Sequence, residues 1–248
     1  MPTGANSKKK YTYVWVSAII LIFGAFAVYE ISKRLKEGSV VDNDRMSIPT
    51  LGKEVGFVIN NGKKRKIPPF SFRNQDSTLI SNTDFLGKVY VVEFFFTTCP
   101  TICPIMTKNL VELQETFQEY EDFGVASFTI NPRYDTPSVL KKYANRYGIT
   151  DKDWHLLTGN RDSIYGLAQE GFYLLAKEDT SVPGGFEHSG MFALIDKEGN
   201  IRSREDNFGN PIIYYRGTIT EEQGVNSEGE PQQITILKED IKKLLFEE

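Results

Sequence analysis

The chain has two cysteines, and they stand four positions apart in Cys99-Pro100-Thr101-Ile102-Cys103-Pro104. Thiolates are both the nucleophiles of disulfide exchange and preferred ligands of soft metal ions. The pair follows an apolar run, Val89-Tyr90-Val91-Val92-Glu93-Phe94-Phe95-Phe96, and precedes an amphipathic stretch that begins near Ile105. A strand would thus deliver the thiols to a helix N-terminus, where unpaired N–H groups and a partial positive charge favour thiolate over thiol. The C-x-x-x-C spacing is one residue longer than the redox C-x-x-C. Residues four apart share a face if the turn between them is helical, so both sulfurs can serve one ion.

An imidazole would complete such a site, because Cu(I) prefers thiolate and tolerates low coordination. Of the two histidines, His188 is the candidate third ligand. It lies in Gly184-Gly185-Phe186-Glu187-His188-Ser189-Gly190-Met191, and Gly184-Gly185 and Ser189-Gly190 around it read as a flexible loop in which a ligand could move. His155, between Trp154 and Leu156 at the start of an apolar strand, reads instead as a satisfied, partly buried histidine. Asp135, in Asn131-Pro132-Arg133-Tyr134-Asp135-Thr136-Pro137, is the remaining polar candidate; it could cap the helix that starts near Pro137 or support the ligands from behind.

Other chemistries stay open on the residues alone. A thiol–disulfide oxidoreductase would use Cys99 as attacking thiolate and Cys103 as resolving thiol. A thiol peroxidase would oxidise Cys99 to a sulfenate, a zinc site could use the same three ligands, and a structural disulfide would explain the two cysteines but not their place at a helix mouth.

Elements to hold these residues follow from pattern. Val55–Ile59 and Lys64–Ile67 form a hairpin around Asn61-Gly62, with the basic cluster Lys63-Lys64-Arg65-Lys66 as a charged, soluble strand edge. Phe70–Arg73 is a short extended piece, and Val89–Phe96, which lacks alternation, is a buried central strand. Helices are expected over 105–120, 139–147, 162–170 and 236–246, and strands over 125–130, 156–157 and 191–196. A turn at Glu198-Gly199-Asn200 pairs Ile201–Arg204 back onto the last of these strands, whereas residues 205–233, rich in Asn, Gly, Glu and Pro, read as an irregular insertion. Strands alternating with helices, then a hairpin and a final helix, give an α/β, thioredoxin-like three-layer domain with a central mixed sheet over residues 51–248.

Ahead of that domain the composition changes. A short basic segment, 1–10, ends in Lys8-Lys9-Lys10, and Tyr11–Ile31 is then mostly apolar, with aromatic residues at both ends. About twenty such residues span a bilayer, so a single transmembrane anchor is expected, followed by a polar tether over 32–50. A cleaved signal peptide, with Ala25-Phe26-Ala27 as its small-residue site, is the rival reading. Either one exports the domain to the extracytoplasmic side of the cell inner membrane, the periplasmic side where there is one. A net charge of −4 makes nucleic acid a poor partner.

Taken in order, Cys99-Pro100-Thr101-Ile102-Cys103-Pro104, Asn131 to Pro137, Trp154-His155-Leu156-Leu157-Thr158-Gly159, and Glu187-His188-Ser189 before Leu194-Ile195-Asp196 resemble the Sco/SenC family of membrane-anchored, thioredoxin-like copper proteins. The resemblance covers roughly residues 55–205 and the anchor. It implies a copper metallochaperone, carrying Cu(I) or Cu(II), that delivers copper to the CuA site of cytochrome c oxidase or reduces the cysteines of that site. The family's ligands fall on Cys99, Cys103 and His188, and its aspartate falls on Asp135. The implied partners are the oxidase subunit bearing CuA and either a copper donor or a thiol reductant. Asn131 stands where many relatives have an aspartate, so a carboxylate pair in that segment is absent.

Overall fold

The computed structural model describes residues 7–36, 54–205 and 210–247. The chain falls into two units, Met1–Ser47 and Ile48–Glu248. In the first, helix α1 (Ser7–Lys36) takes in the apolar segment 11–31. Among its described side chains Trp15, Ile19, Leu21, Phe23, Phe26 and Tyr29 are each more than half exposed. Among the described residues no helix is long and apolar enough to cross a membrane. From residue 37 onward the expected tether lies outside the described residues.

The second unit starts with short pairings. After β1 (Gly56–Phe57), strands β2 (Ile59–Asn60) and β3 (Lys63–Lys64) form the expected hairpin, Ile59 opposite Lys64. Asn61 and Gly62 both take positive φ, 50° and 73°, the turn that an Asn-Gly pair selects because it matches the strand twist. A second hairpin, β4 (Ser71–Arg73) with β5 (Leu79–Ser81), sets Phe70 and Phe72 against Phe128.

The central sheet is built next. Its members are β6 (Val89–Phe95), β7 (Phe123–Thr129) and β8 (Trp154–Leu157), linked through helices α2 (Cys103–Thr116) and α3 (Pro137–Tyr147). These three strands are parallel, and the helices supply the crossovers that parallel neighbours need. Helix α4 (Arg161–Gly166) and a π turn over Leu167–Gly171 lead to the hairpin β9 (Ala176–Glu178) and β10 (Phe186–His188). Then come β11 (Met191–Ile195), β12 (Arg202–Glu205), β13 (Pro211–Ile212), β14 (Tyr214–Arg216) and the final helix α5 (Ile234–Leu245). The spatial order is β14-β11-β6-β7-β8, with β11 antiparallel to both β6 and β14.

Every residue of β6 is buried, which is why its sequence does not alternate: both of its faces are covered. One face carries Glu93 and Phe95 towards α2 and α3, where Phe95 packs on Tyr143 and Thr107 bonds Tyr143. Helix α5 lies on the same side, tied to α2 by Lys238 with Glu112. The other face turns Phe94 towards Phe128 and Phe172, under β4 and the π turn. Helix, sheet, and a mixed outer layer make the three layers expected.

Two expectations need correction. Residues 205–233 are not simply irregular. They supply β13 and β14, and the latter is the edge strand of the central sheet, with Tyr215, Arg216, Ile219 and Gln233 buried. Nor do 191–196 and 201–204 form an extended hairpin: after one bridge, Ile195 to Ile201, β12 leaves to pair with β1 and β13. Its side chains explain the departure, because Arg202 and Arg204 need the carboxylates and carbonyls found there.

Candidate metal centre

Cys99 occupies the turn that joins β6 to α2, its N–H donating to the Phe96 carbonyl at 3.2 Å. Helix α2 opens at Cys103, two residues ahead of the expected Ile105, because Pro104 has no N–H to lose in a first turn. Cys103 is 1% exposed and Cys99 8%, and both are free.

His188 is brought to them by the β9–β10 hairpin. It is the last residue of β10, 8% exposed, and not a member of a loose loop as its glycines imply. The tip of the hairpin lies on the cysteine turn: a Cβ at Gly184, whose φ is +89°, would come within 2.9 Å of the Phe96 ring and 3.0 Å of Pro100. Only glycine satisfies both demands there. The His188 ring meets Phe96 edge to face, at 5.8 Å between centroids.

The three donor atoms, two Sγ and one imidazole nitrogen, lie within 4.8 Å of one another. Cys103 Sγ is 3.2 Å from His188 Nε2. On the other side of the ring, Nδ1 is 3.2 Å from the Ser189 carbonyl. A carbonyl only accepts, so Nδ1 carries the ring proton and Nε2 keeps a lone pair turned to the sulfurs. Two soft sulfurs and such a nitrogen fit a soft, low-coordinate ion.

The thiols share their protons unequally. Cys99 is held down to about 3, chiefly because the Cys103 thiol donates to it, against the cost of burial. Cys103 is pushed far up by burial, by its bond to Cys99 and by the repulsion of a second thiolate so close. Cys99 is therefore the standing thiolate, and Thr101 Oγ1 lies 3.6 Å from its sulfur.

Asp135 is fully buried and does not cap α3, whose N-cap is Thr136. Its carboxylate accepts from the Thr97 N–H at 3.1 Å and from the hydroxyls of Thr97 and Thr129. It thereby ties the end of β7 to the chain just ahead of Cys99. Burial raises its pKa, against those three hydrogen bonds. His155 meets Asn74 Nδ2 at 3.3 Å and the Phe85 ring, the satisfied histidine expected, and takes no part in the centre.

Sequence reasoning passed over Thr97 and Thr129, which nothing local distinguishes, and also Glu93. The last had a signal: one carboxylate within eight residues that are otherwise apolar. It is 1% exposed; one oxygen accepts from Ser127 Oγ at 2.7 Å, and Oε2 has no partner. Burial raises it to about 7.

Residues 59–218 match the family model described as SCO1/SenC. The SCO1 protein homolog of Bacillus subtilis is 33% identical over 151 residues, which are 59% of this chain and 76% of that protein. BsSco, a member of the Sco family of cytochrome c oxidase assembly proteins in which a disulfide switch was identified, superposes with a TM-score of 0.59 at 26% identity, covering 77% of this chain and 99% of its own. Bradyrhizobium japonicum ScoI with copper bound superposes with a TM-score of 0.51 over 71% of this chain and 98% of its own; at 19% identity that likeness carries the fold alone.

Proposed function

The chain belongs to the SCO1/SenC family, and we propose that it is a copper-binding protein of cytochrome c oxidase assembly that hands its ion to the CuA site. The observation that carries this reading is the convergence of Cys99, Cys103 and His188, from two different parts of the chain, on one point. Two thiolates and an imidazole hold copper while leaving room for an incoming ligand. Transfer then proceeds by exchange: a recipient thiolate replaces one protein ligand at a time. Cys99 is deprotonated beforehand, and Cys103 loses its proton as it binds.

A second reading is favoured by the same standing thiolate. Cys99 could attack a disulfide of the recipient, and Cys103 could then attack Cys99, releasing the recipient as two thiols and leaving a Cys99–Cys103 disulfide. That reduction would prepare the CuA cysteines. Its product and its reagent are the oxidised and reduced forms of one site.

The anchor belongs to the same proposal. Residues 11–31 are mostly apolar with aromatic flanks, a composition that supports a single span of the cell inner membrane with the second unit outside the cytoplasm.

The two roles separate in one experiment. Full-length chain in detergent, either copper-loaded or reduced and copper-free, is mixed with a soluble CuA-bearing subunit whose cysteines are reduced or oxidised. Delivery predicts CuA absorption from the loaded chain and reduced recipient. Reduction predicts recipient thiols from the copper-free chain and oxidised recipient. Neither product in either mixture contradicts the proposal.

A further inference from the structure

The histidine side of the centre is backed by the insertion. β14 pairs with β11, placing Arg216 opposite Met191, and the Gly217 N–H donates to the Gly190 carbonyl at 2.8 Å. A Cβ at Gly190 would overlap Thr218 Cγ2 and come within 3.5 Å of Ile102 Cδ1. The backbone two residues past His188 is thus pressed between Thr218 and the residue that separates the cysteines from within their own turn. Ser189, whose carbonyl holds the His188 ring, is fixed in turn by its N–H to the Leu175 carbonyl, at 3.1 Å.

What holds Thr218 in place is on the cysteine helix. Asn109, fully buried in α2, donates from Nδ2 to both Gly217 O and Ile219 O, at 2.9 and 3.1 Å. Its own Oδ1 has no partner. A buried acceptor without a donor is a cost that a leucine of similar size would not carry. The amide supplies two donors to alternate carbonyls of one segment, a grip that no apolar side chain offers. The helix that begins with one ligand therefore also clamps the segment behind another.

We propose that Asn109 and Thr218 are positioning residues of the metal centre, bracing residues 188–190 from behind and so setting how firmly His188 holds the ion. This rests on the reading of His188 as a ligand.

The test is a competition titration of Cu(I) between the reduced full chain and a chromophoric chelator, for wild type, Asn109→Ala, His188→Ala and the double variant. Loss of a residue that orients a ligand lowers metal affinity about tenfold or more. Asn109→Ala should show that loss, and in the His188→Ala background it should add nothing, because its route to the ion is gone. Equal weakening in both backgrounds, or none in either, overturns the brace. Unchanged affinity in His188→Ala overturns the ligand reading itself, and the brace with it. A steric pair guards against a folding defect at Asn109. Gly190→Ala should weaken binding, and Gly190→Ala with Thr218→Ser, which deletes the methyl in the way, should restore it. Failure of the serine to restore affinity would also overturn the proposal.

Discussion

Two buried polar regions of the same domain are built on opposite rules. Around α5, charge is matched. Arg204 and Asp240, both fully buried, pair directly, with Tyr215 donating to the same carboxylate at 2.7 Å. Arg202 spans Asp196, Glu247 and the Val55 and Gly56 carbonyls, and its guanidinium lies over the Phe57 ring. At the cysteines there is no such matching. Cys99 stands as thiolate against a protonated Cys103 and the lone pair of His188, and Glu93, beneath them, keeps one oxygen unpaired. A matched network resists change in protonation or partner. An unmatched one is stabilised by whatever supplies the missing positive charge. The first region holds the fold together, and the second is open to an ion.

Breaking the matched region should cost most. Asp240→Asn takes from Arg204 its fully buried counter-charge and leaves it the more exposed Glu239, 3.4 Å away, a loss of about 3 kcal/mol in urea unfolding. The fraction that still folds should bind copper as before; a loss of affinity there would show that the two regions are not separate.

Next comes the unpaired acid. Glu93 titrates near 7 in the folded chain against an ordinary value of 4.5. A raised folded pKa means that the native state holds the extra proton, so the stabilisation is full below 4.5 and is lost as pH rises through 7. The difference amounts to about 3 kcal/mol between acid and alkaline limits. Glu93→Gln, measured by urea unfolding at pH 5 and pH 8, should abolish that fall. Parallel pH dependence in wild type and variant would remove Glu93 from the account.

Asp135→Ala should cost about 2 kcal/mol, since three donors lose their acceptor. Copper affinity should fall less than on loss of a ligand. Wild-type stability and wild-type transfer would leave Asp135 without a role. The smallest change is expected in the alkylation of Cys99 by iodoacetamide: its rate should stay level from pH 5 to 8, where an ordinary thiol gains about tenfold per unit. A tenfold rise per unit would mean that Cys99 is no standing thiolate.

Much of this was legible along the chain. The unalternating run 89–96, the Thr136-Pro137 helix start and the Asn61-Gly62 turn are local signals, and each element forms close to where its residues place it. The thiol pair and His188 were legible by residue type. Other features depend on contacts remote in sequence. Tyr214–Arg216 is three residues long amid polar and glycine-rich chain, and becomes a strand because β11 offers a free edge. Asp135 resembled a helix cap because its real donors, Thr97 and Thr129, are on two other segments. The His188 loop looked slack because its glycines were read as freedom, whereas Gly184 and Gly190 are small so that neighbours can touch.

The central claim is that one ion is held by Cys99, Cys103 and His188 together. Anaerobic Cu(I) titration of the reduced full chain, beside Cys99→Ser, Cys103→Ser and His188→Ala, tests it most directly. The account predicts one copper per chain in wild type, weakened or lost in each variant while the fold persists. Full copper occupancy in all three variants would contradict it.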